Sequence, residues 1–216
     1  MLTSAYLQGI FVLNERFHCW RLLLFCLLLT GCLGGRAEIS EPEWDPVAAT
    51  DRAVSEYDSN GDQKLSREEL KMSPGLLAAI GVLDRNSDGS ISSDELKAML
   101  QEIQQQQAAL VEIPCTVTRN NRPLAGAKVE LVPETFLGNA IKPASGITDR
   151  DGTTYLSIDA EELPEALRDK VKGVHCGIYR VIVTHPSVNV PVKYNTQTEL
   201  GRIVSRRDYG PLTVAF

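Results

Sequence analysis

Histidine is nearly missing from the body of this 216-residue chain. Past residue 31 only His175 and His185 occur, ten residues apart at the two ends of one predicted strand, with neither an HExxH nor a CxxC pattern nearby. Ten residues of extended chain hold the two rings roughly 30 Å apart, so both read as structural residues at strand ends. With no nucleophile matched to a base, and no metal triad with an open position, the sequence predicts a protein that is not an enzyme. A membrane-spanning helix is lacking too, because the apolar run at residues 22–29 falls well short of the roughly 20 residues a bilayer core demands. Basic excess is absent as well. The formal net charge is −6 and the Lys and Arg residues of the second half are dispersed, which excludes a nucleic-acid footprint.

What the N-terminus does contain is the set of parts of a secretory signal. Arg16 and Arg21 precede the short apolar run, and Thr30-Gly31-Cys32 follow it, so residues 1–31 are set apart from the fold. Leu29-Thr30-Gly31-Cys32 resembles the bacterial lipobox, which implies removal of the signal and lipidation of Cys32. Two or more acyl chains anchor a protein stably where one does not. The expectation is therefore an exported protein held at a bacterial membrane, facing the periplasm or the cell surface, with residues 32–44 as a tether. Simple cleavage, leaving a free Cys32, is the alternative.

Negative charge is concentrated ahead of the middle of the chain. Residues 33–113 carry sixteen Asp or Glu against seven Lys or Arg, while residues 114–216 carry eleven against thirteen. Within the acidic half, Asp45 followed by Pro46 predicts a helix over 46–57. A second helix is predicted from Ser73-Pro74 through Leu83, and a third from Ser93 into the Gln104-Gln105-Gln106-Gln107 tract. From Leu110 the pattern alternates instead. Strands are predicted at 113–118, 127–132, 153–158, 178–184, 202–204 and 212–216, with Tyr179, Val181 and Val183 facing a core and Arg180 facing out. The fold class expected is α+β and multidomain: a small all-α pair over 45–103, a linker at 104–110, and an all-β sandwich over 111–216.

Two segments of the acidic half repeat one another at an offset of 26 residues. The first presents Asp58, Asn60, Asp62, the Lys64 carbonyl, Ser66 and Glu69; the second presents Asp84, Asn86, Asp88, the Ser90 carbonyl, Ser92 and Glu95. Calcium takes six to eight oxygen ligands, and these are the residue types, at positions 1, 3, 5, 7, 9 and 12, that supply them from one short loop. The match extends to apolar neighbours, since Val54 and Tyr57 lead into the first loop as Ile80 and Leu83 lead into the second. Leu65 and Ile91 occupy position 8, where paired loops join. An Asp-rich surface turn would not predict those apolar matches.

Over about residues 46–103 the chain thus resembles the EF-hand family, which implies calcium as the bound ion. One departure stands out: position 6 is Gly89 in the second loop but Gln63 in the first, and a non-glycine residue with positive φ costs about 1 kcal/mol or more. The first site is expected to be the weaker. The segment between the loops is too short for two full helices, which leaves a compact, dockerin-like arrangement open.

In the second half, Pro123-Leu124-Ala125-Gly126-Ala127-Lys128-Val129, Thr148-Asp149-Arg150-Asp151-Gly152 and Gly177-Ile178-Tyr179-Arg180-Val181 resemble the transthyretin-like or carboxypeptidase-regulatory-like β-sandwich. The resemblance implies an accessory or interaction module. The Tyr-Arg-Gly-Ser signature of transthyretin-related hydrolases is absent. Cys115 and Cys176 lie in or beside strands of this region, either as a disulfide, which export permits, or as two buried thiols. The function expected is that of a calcium-binding, membrane-anchored lipoprotein whose β module recognises an unidentified protein or envelope polymer. A calcium-rigidified spacer of the envelope, or an envelope hydrolase of transthyretin-like fold, are the alternatives.

Overall fold

In the computed structural model the described residues are 39, 41–106, 110–168, 170–207 and 210–216. The expected signal segment, Cys32 and most of the tether lie outside them. The first helix, α1 (Pro46–Tyr57), starts where local chemistry dictates. The Asp45 carboxylate accepts the Val47 N–H at 2.9 Å, and Pro46 occupies a first-turn position whose N–H would have no partner. Ala49, Ala53 and Tyr57, four residues apart, form its buried face. The chain then passes through the first loop, including β1 (Lys64–Ser66), into a single 3-10 turn at Glu69–Met72 and on to α2 (Pro74–Leu83). That turn replaces a full exit helix, as the short inter-loop segment requires. The second loop contains β2 (Ser90–Ser92) and leads into α3 (Ser93–Gln105), whose Ser92 and Glu95 form a reciprocal capping box. Leu96, Met99, Leu100 and Ile103 give α3 its apolar stripe.

The second half is β-rich: β3 (Ile113–Arg119), β4 (Arg122–Pro123), β5 (Lys128–Pro133), β6 (Ala144–Ile147), β7 (Thr153–Ile158), β8 (Gly177–Thr184), β9 (Gly201–Val204) and β10 (Leu212–Ala215). They join in one curled sheet, a half-barrel ordered β10-β3-β7-β6-β5-β8-β9, with β4 paired to β3 outside that path. All of the pairings are antiparallel except β10 with β3. The expected sandwich has two separate sheets. Here β6 bonds to both β5 and β7, so hydrogen bonding runs unbroken from edge to edge. The β6–β7 joint is short, with Ala144 opposite Ile158 and Ser145 opposite Ser157. At Gly146 a Cβ would meet Thr154 Oγ1 at 2.7 Å and the Tyr155 carbonyl at 2.9 Å, so only glycine lets β6 lie this close to β7.

Side-chain alternation on β8 follows the sequence expectation for Tyr179, Val181 and Val183, all fully buried. Arg180 departs from it. Its guanidinium turns to the Glu134 carboxylate at 3.2 Å rather than outward, because Glu134 is wholly buried and needs a counter-ion. Cys115 and Cys176 are buried and unbonded, so the disulfide alternative is not met. Cys115 sits in β3, whose neighbours are β10, β7 and β4, whereas Cys176 precedes β8, which lies between β5 and β9. Burial pushes the Cys115 thiol up to about 12 and raises that of Cys176 as well. His185 at the end of β8 accepts the Ser187 and Val188 N–H groups at Nδ1 and bonds the Ala125 carbonyl through Nε2, a structural role.

Residues Glu38–Phe216 form one compact unit with a continuous apolar core from Ala49 to Val214. The helical part meets the sheet at two places. Helix α2 lies on β8 and β9, with Gly201 pressed against the backbone of Pro74 and Gly75. The segment Glu134–Leu137, which includes a 3-10 turn, takes hydrogen bonds from both leading helices. Arg52 of α1 donates to the Phe136 carbonyl at 2.8 Å, Tyr57 bonds Thr135 Oγ1 at 3.1 Å, and the Gly75 N–H of α2 donates to Glu134 Oε1 at 2.7 Å.

Candidate metal centre

Each loop is organised by aspartate and asparagine side chains folding back on their own backbone. In the first, Asp58 Oδ1 accepts from the N–H groups of Gly61 (2.7 Å) and Asp62 (3.3 Å) and its Oδ2 from Gln63 (2.8 Å). Asn60 accepts from Asp62, and Asp62 from Lys64. The second loop repeats this frame: Asp84 accepts from Asp88 (3.0 Å) and Gly89 (2.9 Å), Asn86 from Asp88, and Asp88 from Ser90. The loops are zipped together by β1 and β2, antiparallel, with Leu65 opposite Ile91 and both buried. Lys64 and Ser90 begin those two strands.

The closing glutamates reach back across their loops. Glu69 accepts from Ser66 N–H and hydroxyl at 2.9 and 2.7 Å and from Ser59 N–H and hydroxyl at 3.0 and 2.9 Å. Those bonds, the Ser66 hydroxyl foremost, hold its carboxyl down to about 2. Partial burial pushes Glu95 up, but hydrogen bonds from Ser92, Asn86 and Arg85 outweigh it, and the net shift is downward. Among the described residues no three Asp, Glu, His or Cys side chains converge as a metal cluster. Carboxylates that converge repel one another unless a cation lies between them, and here each is satisfied by N–H and hydroxyl donors instead. All twelve nominated residues are therefore in the two loops, but their carboxylates are not gathered on one point.

The donor chemistry fits calcium. Every side chain nominated is an oxygen donor, three of each loop's six positions are carboxylates, and one of those carboxylates already holds a cation: Lys64 Nζ lies 2.8 Å from Asp88 Oδ2. The backbone also has the required turns, with positive φ at Gly61 (77°), Gln63 (63°), Ser87 (60°) and Gly89 (86°). This refines the expected inequality of the loops. Gln63 is in the left-handed region, as expected, but Ser87 at position 4 of the second loop is there too, where the first loop has Gly61. Each loop carries one strained residue. Replacing Gln63 by Gly is expected to tighten one calorimetric calcium event by up to about tenfold, and Ser87→Gly to tighten the other to a similar degree.

Three contacts in the loops go beyond what residue type and spacing predict. Ser59 and Arg85, at position 2, contribute N–H groups to the closing glutamate, a backbone role that no residue type announces, and Ser59 adds its hydroxyl. Lys64 was nominated for its carbonyl, whereas its side chain crosses to the other loop.

No curated protein and no solved structure matches the chain. A family model described as EF hand matches residues 77–100, spanning most of α2, the whole second loop and the start of α3, and the ion that such a loop implies is calcium.

Proposed function

We propose that this chain is a calcium-binding protein of the bacterial envelope, anchored by lipid at Cys32, in which calcium fixes the helical pair against a non-catalytic β region that recognises a partner. The observation that carries the calcium reading is the duplicated frame of Asx hydrogen bonds, held face to face by β1 and β2. Asp58, Asn60, Asp62, Ser66 and Glu69, with the Lys64 carbonyl, would hold one ion. Asp84, Asn86, Asp88, Ser92 and Glu95, with the Ser90 carbonyl, would hold the other. A bound Ca²⁺ supplies positive charge that lets these carboxylates converge, and the helices leading into each loop then lose freedom.

The contacts of Glu134–Leu137 with both leading helices favour a structural use of the ion over a switch. The β region is read as a transthyretin-like or carboxypeptidase-regulatory-like module. The motifs that carry this resemblance fall on β4 and β5, on the turn between β6 and β7 where Asp149 accepts from Asp151 and Thr153, and on β8. Among the described residues no helix is long and apolar enough to cross a membrane; the attachment proposed here is by lipid at Cys32.

Calcium titration by calorimetry tests the core of the proposal. Two binding events are expected, and Glu95→Gln should abolish one of them, because the twelfth position supplies two of the oxygens. A flat titration of the unsubstituted chain would end the reading. Labelling with radioactive palmitate tests the anchor, and calcium-dependent capture of a partner from envelope extracts separates recognition from a purely structural spacer.

A further inference from the structure

We infer that Lys64 is a tethered cation that competes with calcium for the second loop, so that a side chain of the first loop sets the second loop's affinity. The inference rests on the calcium reading above and names a regulator of that site. Lys64 heads β1 directly opposite Ser92 of β2, and this register delivers its ammonium to Asp88 Oδ2 at 2.8 Å. The contact is thus a product of loop pairing. Asp62 of its own loop and Glu95 of the second loop act on the same ammonium, which places it in the field of both sites.

The arrangement runs one way. The residue that matches Lys64 in the second loop is Ser90, which carries no charge, so the second loop returns no cation to the first. Calcium entering the second loop must take the Asp88 carboxylate from an ammonium already on it, whereas among the described residues no such ion pair is formed by Asp58, Asp62 or Glu69 of the first. Half-exposed ion pairs are modest in strength, so the effect on affinity is expected to be a few-fold. Because the cation is a covalent part of the chain, dilution does not remove it. Salt weakens it.

Lys64→Met keeps the backbone carbonyl nominated for the first loop and removes only the ammonium. In full-length chain carrying Glu69→Gln to silence the first loop, calorimetry should show the remaining calcium event tightened roughly two- to fivefold by Lys64→Met. Arg67→Met, which removes an equal charge from the same loop, should change it by less than about twofold. In an Asp88→Asn background the gain from Lys64→Met should vanish. A second readout needs no variant: mass spectrometry of amine acylation should show Lys64 modified faster with calcium than without, as the ammonium leaves Asp88. Unchanged affinity in Lys64→Met, equal tightening by Arg67→Met, or calcium-independent acylation would overturn the inference while leaving the calcium reading intact. Absence of any calcium binding by the unsubstituted chain would overturn both.

Discussion

Substituting Gly201 by Ala is expected to lower the stability of the Glu38–Phe216 unit by about 3 kcal/mol or more, near or beyond the upper end of overpacking penalties. An added Cβ would stand 2.0 Å from the Pro74 carbonyl oxygen, 2.5 Å from its carbon and 2.6 Å from Gly75 Cα. All three are backbone atoms at the start of α2, so no side-chain rotation relieves the clash and the helix must lift from β9. For a unit of this size the loss corresponds to a fall in Tm of roughly 10 °C. Because α2 leads directly into the second loop, calcium affinity should weaken in the same variant while the first loop is less affected. Calorimetric unfolding with calcium and with a chelator checks both parts. A Tm within 2 °C of the unsubstituted protein would show that the contact yields more easily than its geometry implies.

Glu134→Ala should cost about 2–3 kcal/mol by a different route. The Glu134 carboxylate is wholly inaccessible, accepts the Gly75 N–H at 2.7 Å and pairs with Arg180 at 3.2 Å. Removing it leaves an Arg180 guanidinium half-buried with no counter-ion and an N–H at the first turn of α2 with no acceptor. Partial exposure of Arg180 keeps the cost below that of a fully buried pair. A pH signature accompanies it. Burial raises the Glu134 pKa, with the Gly75 N–H and Arg180 opposing but not cancelling the shift. A raised carboxyl binds its proton more tightly in the folded state, so its stabilising contribution is complete below the ordinary carboxylate range and is lost as pH climbs through the raised value. Glu134→Gln should remove that slope. Denaturant unfolding across pH would show an unaltered slope if Glu134 is not the group responsible.

Local features of the helical half were legible in the sequence because short-range chemistry determines them. Asp45-Pro46 marks a helix start by capping and fixed φ, the 26-residue repeat marks paired loops, and Leu65 and Ile91 mark where the loops join. On β8, alternation of Tyr179, Val181 and Val183 identifies the inward face. What escaped is what depends on distant partners. The short β6, Ala-Ser-Gly-Ile, has little alternation and is missing from the expected strands, yet it closes the two halves of the sheet into one. Glu134, beside Pro133 and Thr135, has the composition of a surface bend, and its burial follows only from where α2 and Arg180 come to rest. The reach of Lys64 to Asp88 depends on register between the loops, a relation between two segments that neither contains alone.

The parallel pairing of β10 with β3 has a consequence for the order in which the chain can fold. Cys115 must wait for Leu212, roughly a hundred residues downstream, before that ladder forms, and ladders closed over such separations assemble slowly. The two paired loops, by contrast, lie within one short stretch and have emerged from the ribosome long before. Early acquisition of local structure there would leave α2 folded but uncovered on the side that β8 and β9 later occupy, where Pro74 and Gly75 meet Gly201 and Ile178. The interval between loop formation and sheet closure is therefore when this chain is most open to aggregation and to chaperone capture.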